Sequence, residues 1–351
     1  MDKILDNNFY DNKKILVTGH TGFKGSWLAL VLKQFGSEVY GLSDYSINSG
    51  LYEEIKNKQI FSNEEKVDIN DSESLNHYFK KNEFDLVFHF AAQGIVSKAK
   101  KYPLDTLKTN IIGTFNILEA VNNLESIETI VVATTDKVYA DHDSKNTEDF
   151  KLGGSEFYSA SKASAEHVIN AFKKSYKRND LNVSVVRSGN VLGGGDYGTD
   201  RITTDIVNSI NSNQKIVLRN PDSIRPWQYV LDSIHGYLLV CQYSSQNNSN
   251  EIFNLNSSEA NKFTVLELTK FLIKFWGINE NQLITEDTIE SFYESKILTI
   301  DSSKAKQILG WYPVYSFEDM CKGIVDYEKS KDKFKWSMGH VAHFFDHNLA
   351  L

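Results

Sequence analysis

The stretch KKILVTGHTGFKGSWLALVLKQFGSEVYGLSD, residues 13–44, constrains the fold more than any other. Ile15–Thr18 predicts a strand, the residues from about Gly25 to Phe35 an amphipathic helix, and Glu38–Leu42 a second strand. Such a βαβ unit needs a tight strand-to-helix turn, and the turn carries Gly19, Gly22 and Gly25 in G-x-x-G-x-x-G spacing. The first glycine permits the turn. The second lets the backbone approach a pyrophosphate, and the third lets the helix pack close to the sheet. The helix N-terminus adds N–H donors and a dipole that favours phosphate. An ordinary strand-to-helix turn is the alternative, but this placement favours a dinucleotide site. Asp44, closing the second strand, has the position that accepts a ribose 2′-hydroxyl, which selects NAD; a plain turn aspartate is its alternative.

The pattern continues. Asp68 and Ile69 follow a third short strand and fall beside the adenine if the fold is of this kind. Phe84–Gln93 reads as a buried parallel strand ending in the small pair Ala91 and Ala92, where a cofactor can pass. Thr109–Val121 predicts a helix with a long apolar stripe. Ile130–Ala133 predicts another buried strand, which ends in Thr134, Thr135, Asp136 and Lys137. Strands alternating with helices predict a Rossmann-type doubly wound parallel sheet, whose ligands bind at the carboxyl ends of the strands. The two hydroxyls, the acid and the base of residues 134–137 therefore fall where chemistry is expected.

At 351 residues the chain is expected to form one large domain or two intimately joined ones. A net charge of −8 gives no footprint for nucleic acid or for broad binding to anionic membrane. The two cysteines, Cys241 and Cys321, suggest no disulfide framework. No signal-peptide pattern and no membrane-length apolar run is present, so a cytoplasmic protein is expected.

YSASKASAEHVINAF places Tyr158 and Lys162 four apart on a predicted helix, and so on one face. An ammonium beside a phenol favours the phenolate. Such a tyrosine takes a proton from a sugar hydroxyl while a nicotinamide takes the hydride. Taken alone, the spacing more often marks a surface pair; beside the glycine-rich βαβ unit it reads as catalytic.

Together VTGHTGFKGSWL, TDKVY, YSASKASAE, RSGNVLGGGDYGTDR and RNPDSIRPWQYVLD resemble the extended short-chain dehydrogenase/reductases, and within them the CDP-glucose 4,6-dehydratases, from about residue 10 to about 325. The resemblance implies a redox triad of Thr135, Tyr158 and Lys162, with Asp136 as acid for the C6 hydroxyl and Lys137 as C5 base. For those two roles Asp136 needs a raised pKa and Lys137 a lowered one. It implies NAD contacts from Gly19, Thr21, Gly22, Phe23, Gly25, Asp44, Asp68, Ile69, Ala91, Ala92, Tyr158 and Lys162. Gln93, Asn190, Arg201, Arg219 and Arg225 are the candidates for a nucleotide-sugar substrate, the arginines for its pyrophosphate. A homodimer is implied through the helices holding Thr109–Val121 and Tyr158–Tyr176.

Residues 1–187, with a return segment at about 228–255, are expected to form the NAD-binding domain. A smaller α/β C-terminal lobe of 188–227 and 256–330 is expected to bind substrate, with strand Glu251–Asn256 and helices Phe263–Trp276 and Ser303–Pro313. Ser244–Asn250 reads as a surface loop. His340, His343 and His347 fall near one helix face of the tail, too few for a metal site; a tail loose or docked on a partner subunit is expected. Two segments depart from the family pattern, Gly94–Pro103 and Glu156-Phe157. A 4-epimerase or reductase accounts for the triad but leaves Asp136 and Lys137 without work. A non-catalytic dinucleotide-binding protein does not account for Tyr158 with Lys162.

Overall fold

The computed structural model describes all residues except 1–4, 48–49, 142–145, 177, 219, 257–262, 280, 282, 286–299 and 348–351. Arg219 therefore lies outside the described residues. The first six strands are β1 (Lys14–Thr18), β2 (Glu38–Ser43), β3 (Phe61–Lys66), β4 (Leu86–His89), β5 (Thr129–Thr135) and β6 (Asn182–Ser188). Short strands β7 (Asn190–Leu192), β8 (Ile216–Leu218) and β9 (Trp227–Tyr229) follow, then β10 (Ile252–Leu255) and β11 (Leu283–Thr285). The helices of the first half are α1 (Phe23–Gln34), α2 (Leu51–Ile55), α3 (Ser72–Lys81), α4 (Val96–Lys101), α5 (Pro103–Leu107), α6 (Thr114–Asn122) and α7 (Phe157–Ser175). Those of the second half are α8 (Ile202–Asn211), α9 (Val230–Asn247), α10 (Val265–Trp276), α11 (Ser303–Leu309), α12 (Phe317–Lys329) and α13 (Lys333–His347).

Among the described residues the main sheet has seven parallel strands in the order β10-β6-β5-β4-β1-β2-β3. This is the doubly wound sheet expected. The order in which strands are added reverses between β1 and β4, a switch point whose ligand crevice lies at the carboxyl ends of these strands. β5 is buried along its whole length, as a central parallel strand must be. One apolar layer joins α1 and α9 to the C-terminal helices, and the other packs α3, α6 and α7 beneath the opposite face. Two small parallel pairs, β7–β9 and β8–β11, stand apart from the main sheet.

Several boundaries differ from the sequence reading. β4 stops at His89 instead of running to Gln93, because the Ala91 N–H turns to donate to Thr18 Oγ1 at 3.2 Å. The helix expected over 109–121 begins as a π-turn at Lys108–Gly113 before α6. The expected loop at 244–250 is helical to Asn247, since Ser244 is buried against Ser184 at 2.7 Å and Asn248 ends the helix with φ 47°. α11 stops at Leu309, where Gly310 takes φ 67° and turns Trp311 into the core. The tail is neither loose nor awaiting a partner: α13 buries Val341, Phe344 and Phe345 against this chain's own core.

Candidate active site

The turn from β1 to α1 is built to receive an anion. Gly19 has φ 71°, and a Cβ there would lie 2.7 Å from Ala91 N. A Cβ on Gly25 would lie 2.3 Å from Gly19 O, so the helix can approach the strand only with glycine at this position. Gly22 caps α1 without any side-chain hydrogen bond, which leaves first-turn N–H groups for a phosphate. These residues fit the pyrophosphate of a dinucleotide. Asp44 follows β2 on the surface and accepts the Ser46 N–H at 2.9 Å through Oδ1. Asp68 is exposed and turns toward Asn70, while Ile69 is buried against Gly113. Ala92 is half-buried beyond β4, and the Phe23 ring reaches the backbone at Gly193. The Thr21 hydroxyl is 2.9 Å from Ser43 Oγ and ties the glycine turn to β2.

At the end of β5, consecutive residues face different partners. The Ala133 carbonyl accepts from Lys162 Nζ at 3.1 Å. The Thr134 hydroxyl donates to Glu166 Oε1 at 2.7 Å. The Thr135 hydroxyl donates to Asp136 Oδ1 at 2.9 Å, and Thr135 acts to lower the pKa of Tyr158. Asp136 is buried and Lys137 half-buried in the single 3₁₀ turn that follows. α7 presents Tyr158 and Lys162 to this strand end. Its first turn is fixed by Glu156, whose carboxylate accepts from Ser159 N at 2.6 Å and Tyr158 N at 2.7 Å while Ser159 Oγ reciprocates. Glu156, one of the departures from the family pattern, is thus the cap that aims Tyr158.

The structure alters the expected electrostatics. Burial raises the Tyr158 pKa, and Asp136 adds to the rise; Thr135, Lys137 and Arg201 oppose it. Lys162 Nζ donates to the Ala133 carbonyl. Burial lowers Lys162 to about 8, with Glu166 opposing. A further lysine, unassigned by the sequence reading, belongs here. Lys24 donates to Tyr237 Oη at 3.2 Å, lies over the Phe90 and Tyr237 rings, and is lowered to about 7 by burial and by Lys162 and Arg201. Asp196, also unassigned, is raised by burial and faces Arg201 and Lys24. Both lie inside the quoted motifs VTGHTGFKGSWL and RSGNVLGGGDYGTDR, but the neighbours that act on them come from the tertiary fold.

The substrate candidates divide. Arg201 caps α8, lies 3.8 Å from Asp196 Oδ2, and acts electrostatically on both Tyr158 and Lys24. Asn190 opens β7 half-buried, paired with Trp227 of β9. Arg225 is buried with Nη1 on its neighbour's carbonyl, Ile224 O, at 2.9 Å. Gln93 departs from expectation. Its amide N donates to Thr106 Oγ1 at 2.9 Å and to Ile95 O at 3.1 Å, and its amide O accepts the Ile95 N–H at 2.7 Å, so the side chain shapes its own loop. Asn110, in the π-turn, reaches Gln93 N at 2.8 Å, Gln93 O at 3.0 Å and Ser161 Oγ at 2.8 Å, locking that loop to α7. From the other departing segment, Ser97 on α4 donates to Asp200, one residue before Arg201.

Comparison with known proteins agrees with this arrangement. Residues 16–324 match the family model described as GDP-mannose 4,6 dehydratase. A CDP-glucose 4,6-dehydratase of Salmonella typhimurium strain LT2 is 35% identical over 93% of this chain and 93% of its own length. A dTDP-glucose 4,6-dehydratase of Haemophilus influenzae is 27% identical over 87% of this chain and 94% of its own length. Among solved structures, a UDP-glucose 4-epimerase of Thermotoga maritima with UDP-glucose matches with a TM-score of 0.78 at 25% identity, covering 90% of this chain and 98% of its own. A dTDP-glucose 4,6-dehydratase of Bacillus anthracis in complex with NAD shares the fold, with a TM-score of 0.76 at 23% identity over 93% and 99% of the two chains. The chain belongs to the extended short-chain dehydrogenase/reductase family of nucleotide-sugar dehydratases and epimerases.

Proposed function

We propose that this protein is an NAD-dependent 4,6-dehydratase that converts CDP-glucose to CDP-4-keto-6-deoxyglucose and water. The observation that carries the proposal is the placement of Asp136 and Lys137 directly after Thr135, on the strand end that faces Tyr158. A 4-epimerase needs the triad alone. Elimination also needs an acid and a base beside the sugar. CDP-glucose is favoured by the Salmonella relative.

The turn of Gly19, Gly22 and Gly25 at the N-terminus of α1 would hold NAD, which when bound would supply a hydride acceptor for C4 and a hydride donor for C6. Tyr158, whose phenolate Thr135 favours, takes the proton of the C4 hydroxyl. The resulting 4-keto group acidifies the C5 proton, which Lys137 removes and gives back to C5 when C6 receives the hydride. Asp136 gives its proton to the C6 hydroxyl, which leaves as water. Arg201 and Arg225 hold the pyrophosphate. Residues 1–187 with 228–255 form the cofactor domain, and 188–227 with 256–330 the substrate lobe. Among the described residues no helix is long and apolar enough to cross a membrane; the protein is proposed to work in the cytoplasm. It is proposed to act as a homodimer, with the exposed Leu104, Ile112 and Phe157 beside α7 as the covered face.

Purified protein with added NAD is incubated with CDP-, GDP-, UDP- and dTDP-hexoses and followed by mass spectrometry. Loss of one water from CDP-glucose, with no net NADH, is expected. A product of unchanged mass would replace the dehydratase by an epimerase, and water loss from another nucleotide sugar would correct the substrate.

A further inference from the structure

Behind the catalytic face of α7 lies a buried ion pair that the proposed reaction does not use. Glu166 stands one helical turn beyond Lys162. Its carboxylate accepts from Arg187 Nε at 3.0 and 3.1 Å, from Arg187 Nη2 at 2.5 Å, and from the Thr134 hydroxyl at 2.7 Å. Both side chains are almost fully enclosed. Arg187 is held in turn: Nη1 donates to Tyr139 Oη and to the Glu148 carbonyl, each at 2.9 Å, and its guanidinium lies over the Tyr139 ring. A buried pair of this kind contributes little net stability over apolar packing, so its presence beside a catalytic lysine asks for another reason.

The groups facing Lys162 supply one. From α1 comes Lys24, a like charge. From β4 comes His89, clamped between Thr18 Oγ1 and Thr114 Oγ1 and driven to about 3 by burial, hence neutral. From β5 comes only the Ala133 carbonyl. Glu166, from α7 itself, is the group that opposes the loss of the Lys162 proton. The same carboxylate grips Thr134, between the carbonyl that holds Lys162 and the hydroxyl that meets Tyr158.

We propose that Glu166 and Arg187 form a positioning unit for Lys162: Glu166 holds the lysine as an ammonium and fixes the end of β5, and Arg187 limits how much of the Glu166 charge the lysine feels. The proposal rests on the proposed dehydratase reading, with Lys162 as a member of its redox triad. It separates from a merely structural role by sign. Glu166→Gln and Arg187→Met both break the pair and both lower stability. On Lys162 they act in opposite directions, because one removes a negative neighbour and the other a positive one.

The test has two arms. In the first, kcat for water loss from CDP-glucose by the NAD-loaded enzyme is followed against pH. The high-pH limb is expected to move down by about one unit in Glu166→Gln and upward in Arg187→Met. In the second, which needs no substrate, urea unfolding is followed from about pH 7 to 11 and compared with Lys162→Met in each background. A lysine whose pKa is depressed in the fold binds fewer protons folded than unfolded, so its contribution to stability rises with pH from the folded pKa upward. That rise is expected to begin near 8 in the parent, lower in Glu166→Gln and higher in Arg187→Met. Shifts of the same sign in both variants, or none, overturn the proposal. If the parent leaves CDP-glucose unchanged, the substrate reading fails and the unfolding arm alone decides.

Discussion

At the scale of single residues, Tyr158 ionises against its burial, and its neighbours set how far. Arg201 favours the phenolate and Asp136 disfavours it, so removing each should act with opposite sign. Arg201→Met is expected to move phenolate formation to higher pH and Asp136→Asn to lower pH. Phenolate absorbance checks this, with a Tyr158→Phe titration subtracted in each background to remove the other 16 of the 17 tyrosines. Lys137→Met is expected to leave C4 oxidation in place and to stop elimination, read as a lasting NADH absorbance without water loss from the sugar. A variant that still eliminates water at the parent rate removes Lys137 from the C5 position. The spacing of Tyr158 and Lys162 put them on one helix face in the sequence reading, and the resemblance singled out Asp136 and Lys137 at the end of β5. Lys24, Asp196 and Glu166 lie in quoted motifs too, but were not assigned, because their partners come from strands and helices far away in the chain.

At the scale of elements, what was legible was period and type; what was not was where elements stop. The apolar run after Phe84 looks like one strand to Gln93, yet Thr18 captures the Ala91 N–H and bends the chain after His89. That bend depends on a contact between β1 and β4 that no local pattern reports. α7 is the reverse case, since its boundary rests on a local device. Glu156 closes a capping box on Tyr158 and Ser159, so Glu156→Ala should cost about 1 kcal/mol in urea unfolding. Because the same bonds aim Tyr158, kcat should fall while the KM for nucleotide sugar stays near the parent's. Glu156→Asp, which keeps a capping carboxylate, should restore most of both. Equal loss of kcat in the Asp and Ala variants would show that the cap does not aim the tyrosine.

At the scale of the whole molecule, α13 joins the end of the chain to the loop that carries Arg201. Lys333 Nζ donates to Tyr197 Oη at 2.6 Å and lies 3.2 Å from Glu328 Oε2, which also accepts from Tyr197 Oη at 2.8 Å. Trp27 Nε1 holds the same loop from α1 through Gly194 O at 3.0 Å, and a Cβ on Gly194 would strike the Tyr327 ring. Asp196 and Arg201 thus reach the site from a segment anchored on its far side by the C-terminal helices. Two substitutions on α13 separate anchoring from stability. Phe344 is fully buried against Tyr315 and Phe345, so Phe344→Ala should lower unfolding free energy by about 3–5 kcal/mol while leaving KM unchanged wherever the protein remains folded. Lys333→Met removes a partly exposed cation and should change stability little. It frees Tyr197 and Glu328, however, so the KM for the nucleotide sugar should rise severalfold with no change in NAD affinity. Titration of both ligands, with unfolding curves for both variants, reads the difference. If KM follows stability across the two variants, the helix acts only as a brace for the core.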